Sequence, residues 1–262
     1  MQSGPVFIGG APRSGTTLLR AIVNASGTIT CGPEARIVPA LAALSHQVEH
    51  MHMPVLQNQY GLAPAQLHQH FATAINAFFE PLQQKSGCRI AEKTPTNILH
   101  FSQLRRLFPQ SPLIAIVRDG RDVVASLLSM DWNDARTGQP MNIVRDAGAA
   151  ARLWVASIEA GDAMRSDPNY HELRYESLVR HPRDMISGLF TFLGLDQAAI
   201  EAALNHTRAF DARGGEQESS AARVAQPIDT SAIGRWESDL DQLQRNIVMS
   251  VAGPTLARLG YA

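Results

Sequence analysis

The sequence predicts an α/β protein: a single domain built on a doubly wound parallel sheet, with a phosphate-cradling loop after its first strand. Three observations carry that expectation. Short apolar runs of strand length alternate with segments of helical period along the chain. The first run, "PVFIG" at 5–9, passes through a glycine-bearing turn into a helix. And 262 residues without internal repeats or low-complexity tracts suit one sizeable core.

The elements follow in order. Residues 5–9 are a buried parallel strand, since such strands are apolar on both faces. Residues 16–25 place Leu18, Leu19, Ile22 and Val23 at helical spacing, and "SGTITCGPEAR" at 26–36 reads as a loop. Residues 37–84 read as helices broken by Pro54 and Pro64. A strand over 89–95 ends at Pro95, and a helix over 97–108 stops at Pro109. "PLIAIVRDG" at 112–120 is a second strand-to-turn, with its helix at 121–130. An alanine-rich helix spans 146–165, and 171–178 is a strand running into a helix through 193. Residues 211–234 hold few large apolar side chains and read as a surface loop, either mobile or ordered by a ligand. A helical pattern returns at 236–261.

Composition narrows the function classes. With 45% hydrophobic residues, 18% charged residues and a formal net charge of −1, the chain has no whole-molecule attraction to nucleic acid or an anionic membrane. No apolar run reaches the roughly 18 residues of a membrane span, and the N-terminus lacks the layout of a secretory signal. Cytoplasmic location is the expectation. Cys31 and Cys88 do not make a disulfide framework and lack zinc-ligand neighbours. Two buried thiols is the simpler reading, a single Cys31–Cys88 bridge the other.

The chemistry begins at "FIGGAPRSGTTLL", residues 7–19. A helix N-terminus leaves backbone N–H groups unpaired and carries a partial positive charge, so it suits an anion. Gly10 and Gly15 let the backbone come close, Ser14, Thr16 and Thr17 add hydroxyls, and Arg13 adds a planar cation. The nucleotide-hydrolase pattern would place a lysine where Thr16 stands. A triphosphate is therefore not the ligand this loop favours. "IVRDGRDVVASLL" at 116–128 supplies a second anion site, with Arg118 at a strand end and Ser126 inside the next helix. Arginine at the carboxyl end of a parallel strand faces the crevice where α/β ligands bind. Two such sites imply a nucleotide phosphorylated at two positions.

Together, "PRSGTTLL" and "VRDGRDVVASLL" resemble the two motifs that mark the sulfotransferases, which use 3′-phosphoadenosine 5′-phosphosulfate (PAPS). The resemblance implies that Arg13, Ser14, Gly15, Thr16 and Thr17 hold the 5′-phosphosulfate and that Arg118 with Ser126 holds the 3′-phosphate. It implies the doubly wound fold already inferred and a donor chemistry without a metal, with adenosine 3′,5′-bisphosphate (PAP) as product. "CGPEARIVPAL" at 31–41, "YESLVRHPRDMISGLFTFLGL" at 175–195 and the terminal "LARLGYA" are similar to the tyrosylprotein sulfotransferases, a likeness covering nearly the whole chain. That branch uses a glutamate base, and Glu34 falls on its position. A carboxylate suits a phenol, whose pKa is roughly 10. Lys93, in "AEKTPTN", matches a lysine that neutralises the bridging oxygen, a task Arg13 shares. Tyr175 resembles a nucleotide contact, Arg36 a contact to the acceptor peptide, and a homodimer is implied.

Departures from the pattern bear on the acceptor. Pro33 and Ala35 replace a glutamate and a threonine, Ala40 stands where the animal enzymes carry a peptide-contacting arginine, and Gln226 occupies a lysine position near the nucleotide. One animal disulfide partner aligns with Cys31 and the other with Ala91. With no signal anchor either, a bacterial-type relative is expected. The acceptor is a peptide or protein tyrosine, or alternatively a small phenol, alcohol or carbohydrate; a nucleotide-binding protein or small-molecule kinase is the reading from another class. His46, His50 and His52 read as a solvated helix face, His100 and His181 have no catalytic role, and Trp154 and Trp236 read as packing, with Trp132 a candidate lining residue of the acceptor cleft.

Overall fold

The computed structural model describes residues 4–208 and 219–261. Five parallel strands, β1 (Val6–Gly9), β2 (Ile29–Cys31), β3 (Arg89–Lys93), β4 (Leu113–Val117) and β5 (Tyr170–Arg174), form one sheet in the order β2-β3-β1-β4-β5. The first half of the sheet packs α1 (Thr16–Ala25), α2 (Ile37–Tyr60), α3 (Pro64–Ser86) and α4 (Phe101–Leu107). The second half adds α5 (Gly120–Leu128), α6 (Ala147–Asp162), α7 (Tyr175–Arg180), α8 (Pro182–Leu193) and α9 (Gln197–Leu204). Beyond residue 219 come α10 (Ala221–Val224), α11 (Trp236–Asp239) and α12 (Gln242–Arg258).

The two-residue period of a strand sends alternate side chains to opposite faces of the sheet. Val6, Ile8, Ile114 and Ile116 meet α1, α8 and α9 in one core, while Phe7, Leu113 and Ala115 meet α2, α3 and α4 in another. A third core joins α5, α6 and α12 around fully buried Trp154. The chain leaves central β1 toward the β2 edge and later crosses to β4 on the other side. Such a reversal opens a crevice at the carboxyl ends of the strands.

Four expectations need correction. Pro54 does not break α2, which runs through it to Tyr60 and stops at Gly61, whose φ is 68°. The lost N–H lies on the exposed side, and buried Met53 beside it keeps the helix seated. Residues 29–31 form edge strand β2 rather than loop, too short to display a period. The helix expected over 97–108 starts as a 3₁₀ turn, Pro95–His100, before α4. Cys88 is a half-buried free thiol, so the Cys31–Cys88 bridge does not form and only Cys31 is deeply buried. Of the expected surface loop, 211–218 lies outside the described residues; within 219–234, Val224 and Ala232 are buried in the α1 core.

Candidate active site

A cleft of about 1120 Å³ opens at the carboxyl ends of the strands. Its floor is the turn from β1 to α1. Gly15 sits at φ 101°, and a Cβ there would stand 2.6 Å from the Tyr175 ring, so only glycine fits. Arg13 takes a left-handed conformation, φ 74°, that non-glycine residues rarely adopt. Gly15 caps α1 without a side-chain acceptor, which leaves the first-turn amides of α1 open toward the cleft. Thr16 and Thr17 line it beside them.

Arg13 and Arg118 dominate the electrostatics. Arg13 donates from Nε to Ser126 Oγ at 3.0 Å and from Nη1 to Ser219 and Ser220 at 2.6 and 2.8 Å. Burial, then the neighbouring Arg118 and Arg235, lower its pKa to about 10. Arg118 projects from the end of β4 and donates to the Arg13 carbonyl (3.1 Å) and to the carbonyl of Ala232. Its guanidinium lies 4.7 Å above the Tyr175 ring centroid. It also pairs with Asp122 at 3.5 Å, a salt bridge buried behind the cleft. Ser14 Oγ and Arg118 Nε are buried with no hydrogen-bond partner among the described residues. Buried polar atoms are nearly always satisfied. A concave cationic site with orphaned donors fits a bound phosphate-bearing ligand.

On the opposite wall, Lys93 ends β3 with a fully buried side chain, and its Nζ lies 2.7 Å from Glu34 Oε1. Glu34 stands in the turn between β2 and α2. Arg36 follows at φ 56°, its Nε 3.6 Å from Glu34 Oε2 and its backbone N–H donating to Thr94 Oγ1. Thr94 and Asn97 both donate at 2.5 Å to Glu92, whose burial raises its pKa, so a buried polar network fixes the end of β3.

The predicted residues thus converge. Arg13, Gly15, Thr16, Thr17, Glu34, Arg36, Arg118, Ser126 and Tyr175 line one cleft, with Ser14 and Lys93 buried behind its wall. The two anion sites are contiguous rather than separate, because the hydrogen bonds of Arg13 run to Ser126 and not to the Glu34–Lys93 pair. Trp132, Met141 and Ile143 line the same cleft. Trp154 is packing, its Nε1 donating to the Arg118 carbonyl at 3.0 Å. His46 and His50 stack on each other on the exposed side of α2, away from the cleft. Sequence reasoning missed Ser219, Ser220, Arg223 and Arg235. Their only signal was two arginines and a serine pair inside a stretch poor in apolar residues.

The sulfotransferase family profile matches residues 5–199. The chain belongs to the sulfotransferase family. It is a PAPS-dependent enzyme of that family, as the two motifs led one to expect. Protein-tyrosine sulfotransferase 1 of Danio rerio is 30% identical over 98% of this chain and 72% of its own length. The human protein-tyrosine sulfotransferase 1 is 31% identical over 98% of this chain and 69% of its own. Among solved structures, the sulfotransferase domain from the curacin biosynthetic pathway superposes with a TM-score of 0.64 at 20% identity, covering 99% of this chain and 98% of that one. This last likeness shows the sulfotransferase fold. Membership sets aside the kinase and the non-catalytic binder.

Proposed function

We propose that this sulfotransferase moves the sulfuryl group from PAPS to the hydroxyl of a peptide or protein tyrosine. The observation that carries the reading is the Glu34–Lys93 pair, 2.7 Å apart, on the wall facing the cationic loop. The names of the similar proteins support the tyrosine acceptor. PAPS supplies an activated sulfuryl group when bound. The first-turn amides of α1, with Ser14, Thr16 and Thr17, would hold its 5′ end, and Arg118 with Ser126 its 3′-phosphate. Arg13, already bonded to Ser126, spans the two. Glu34 accepts the phenolic proton as the oxygen attacks. Lys93 offsets the negative charge that grows on the departing bridging oxygen, inside a wall that excludes water.

A small phenol is the second reading, and one observation favours it. Arg36 is the cation beside Glu34 at the mouth, while position 40 carries a bare methyl. Assaying the full chain with sulfur-labelled PAPS separates the two. Label on acidic tyrosine peptides supports the proposal; label on simple phenols alone, with none on peptides, contradicts it.

A further inference from the structure

The peptide group that joins Arg118 to Asp119 is pinned at both ends by buried side chains. Its carbonyl accepts from Trp154 Nε1 at 3.0 Å, and its N–H donates to Glu176 Oε1 at 2.8 Å. Gly120 follows, so close to the Trp154 ring that a Cβ there would stand 2.6 Å from it. The turn therefore cannot slide toward α6. Arg118 takes its direction into the cleft from this peptide plane. A planar guanidinium reads a phosphate well only when its root is held.

Asp119 leads by two routes to one distant residue, Tyr261, which lies beyond the end of α12. From its N–H, Glu176 passes on through Oε2, which accepts from the Tyr261 hydroxyl at 2.9 Å. From its carboxylate, Arg121 is gripped through Nε at 3.0 Å and Nη2 at 2.7 Å, and Nη2 donates again to the Tyr261 carbonyl. Tyr261 is itself placed by its N–H, which donates to the Leu256 carbonyl at 2.9 Å, and by the Arg174 guanidinium 5.1 Å from its ring centroid. Burial, then the Glu176 carboxylate, pushes its hydroxyl above the ordinary phenol range, so at neutral pH the tyrosine is the donor of the pair. The result is a closed ring of Tyr261, Glu176, Asp119 and Arg121. None of the four is among the described residues that line the cleft, so contact with the nucleotide does not account for it. What the ring encloses is the turn that carries Arg118.

We propose that Tyr261 is a positioning residue of the 3′-phosphate site: through Glu176 and Arg121 it sets Arg118, and so sets the preference for a 3′-phosphorylated nucleotide. The inference rests on the assignment of Arg118 and Ser126 to the 3′-phosphate.

Isothermal titration of the full chain with PAP and with adenosine 5′-monophosphate tests it, read as the ratio of the two affinities. Tyr261→Phe removes one oxygen and keeps the ring. PAP binding is expected to weaken about tenfold, the worth of one hydrogen bond to a charged group, while the monophosphate binds as before. Arg121→Gln, which cuts the other route, lowers the ratio in the same direction. Tyr170→Phe is the matched control: it loses a hydrogen bond of 2.9 Å to Glu172 at the far end of β5 and keeps the wild-type ratio. An unchanged ratio in Tyr261→Phe overturns the proposal. So does a loss felt equally by both nucleotides, which a merely structural defect would give. A wild-type protein that binds the two nucleotides equally overturns the 3′-phosphate assignment, and the proposal with it.

Discussion

At the scale of single residues, the site depends on groups held where they are costly to hold. Lys93 is fully buried, and Arg13 and Arg36 both take left-handed backbone conformations. Strain of this kind, on the order of 1–3 kcal/mol per residue, persists only where the surroundings over-determine it. Glu34 is the residue whose role is sharpest. Glu34→Gln keeps an acceptor for the Lys93 ammonium but cannot take a proton. Turnover should fall by about 10² or more while PAP affinity stays within a factor of about two, as expected for loss of a general base. Steady-state kinetics beside a binding titration checks this, and unchanged turnover removes Glu34 from the mechanism. The first loop stood out from its letters, glycine, hydroxyl and arginine at a strand–helix turn, and Arg13, Gly15, Thr16 and Thr17 do line the cleft, with Ser14 buried behind it. The bond from Arg13 to Ser126 was not, since it joins residues from two separate turns.

Among the elements, the segment over 219–235 matters most and was the least legible. Its sequence lacks the apolar period that marks a packed element. Single small residues hold it instead: Val224 and Ala232 are buried, and buried Asp122 accepts from the N–H groups of Gly234 at 2.9 Å and Trp236 at 3.1 Å. That tether sets Ser219, Ser220 and Arg235 against the cleft. Asp122→Ala would orphan both N–H groups and remove the carboxylate paired with Arg118. The expected loss is about 2–5 kcal/mol of stability in urea denaturation, with weaker PAP binding. A loss below about 1 kcal/mol would mean that the segment is held by other contacts. Elsewhere, β1 and β4 were read correctly because their apolar runs, bounded by proline and glycine, are continuous. Strand β2 escaped for want of length, and Pro54 misled because tertiary packing outweighs one missing hydrogen bond.

For the whole molecule, the unliganded site is a cluster of like charges. Burial and the proximity of Arg118 and Arg235 lower Arg13 from the ordinary arginine range to about 10. A base whose folded pKa lies below its unfolded one binds fewer protons in the fold. Its burial, and then its repulsion from the neighbouring arginines, therefore destabilise the free protein below pH 10, and the cost is relieved only as pH rises past about 10 toward the ordinary arginine range. A bound bisphosphate, with about two negative charges on each phosphate at neutral pH, offsets it. PAP should raise the thermal midpoint, by an amount that shrinks as salt is added. Its affinity should hold across the neutral range and weaken as pH approaches 10, where Arg13 loses its charge. A midpoint shift indifferent to salt would count against a site built on these arginines.

The central claim is that the cleft reads a nucleotide by its 3′-phosphate. Isothermal titration of the full chain with PAP, beside ATP and adenosine 5′-monophosphate, tests it most directly. The account predicts micromolar binding of PAP that the monophosphate does not match and that Arg118→Ala abolishes. Equal affinity for ATP, or PAP binding that survives Arg118→Ala, would contradict it.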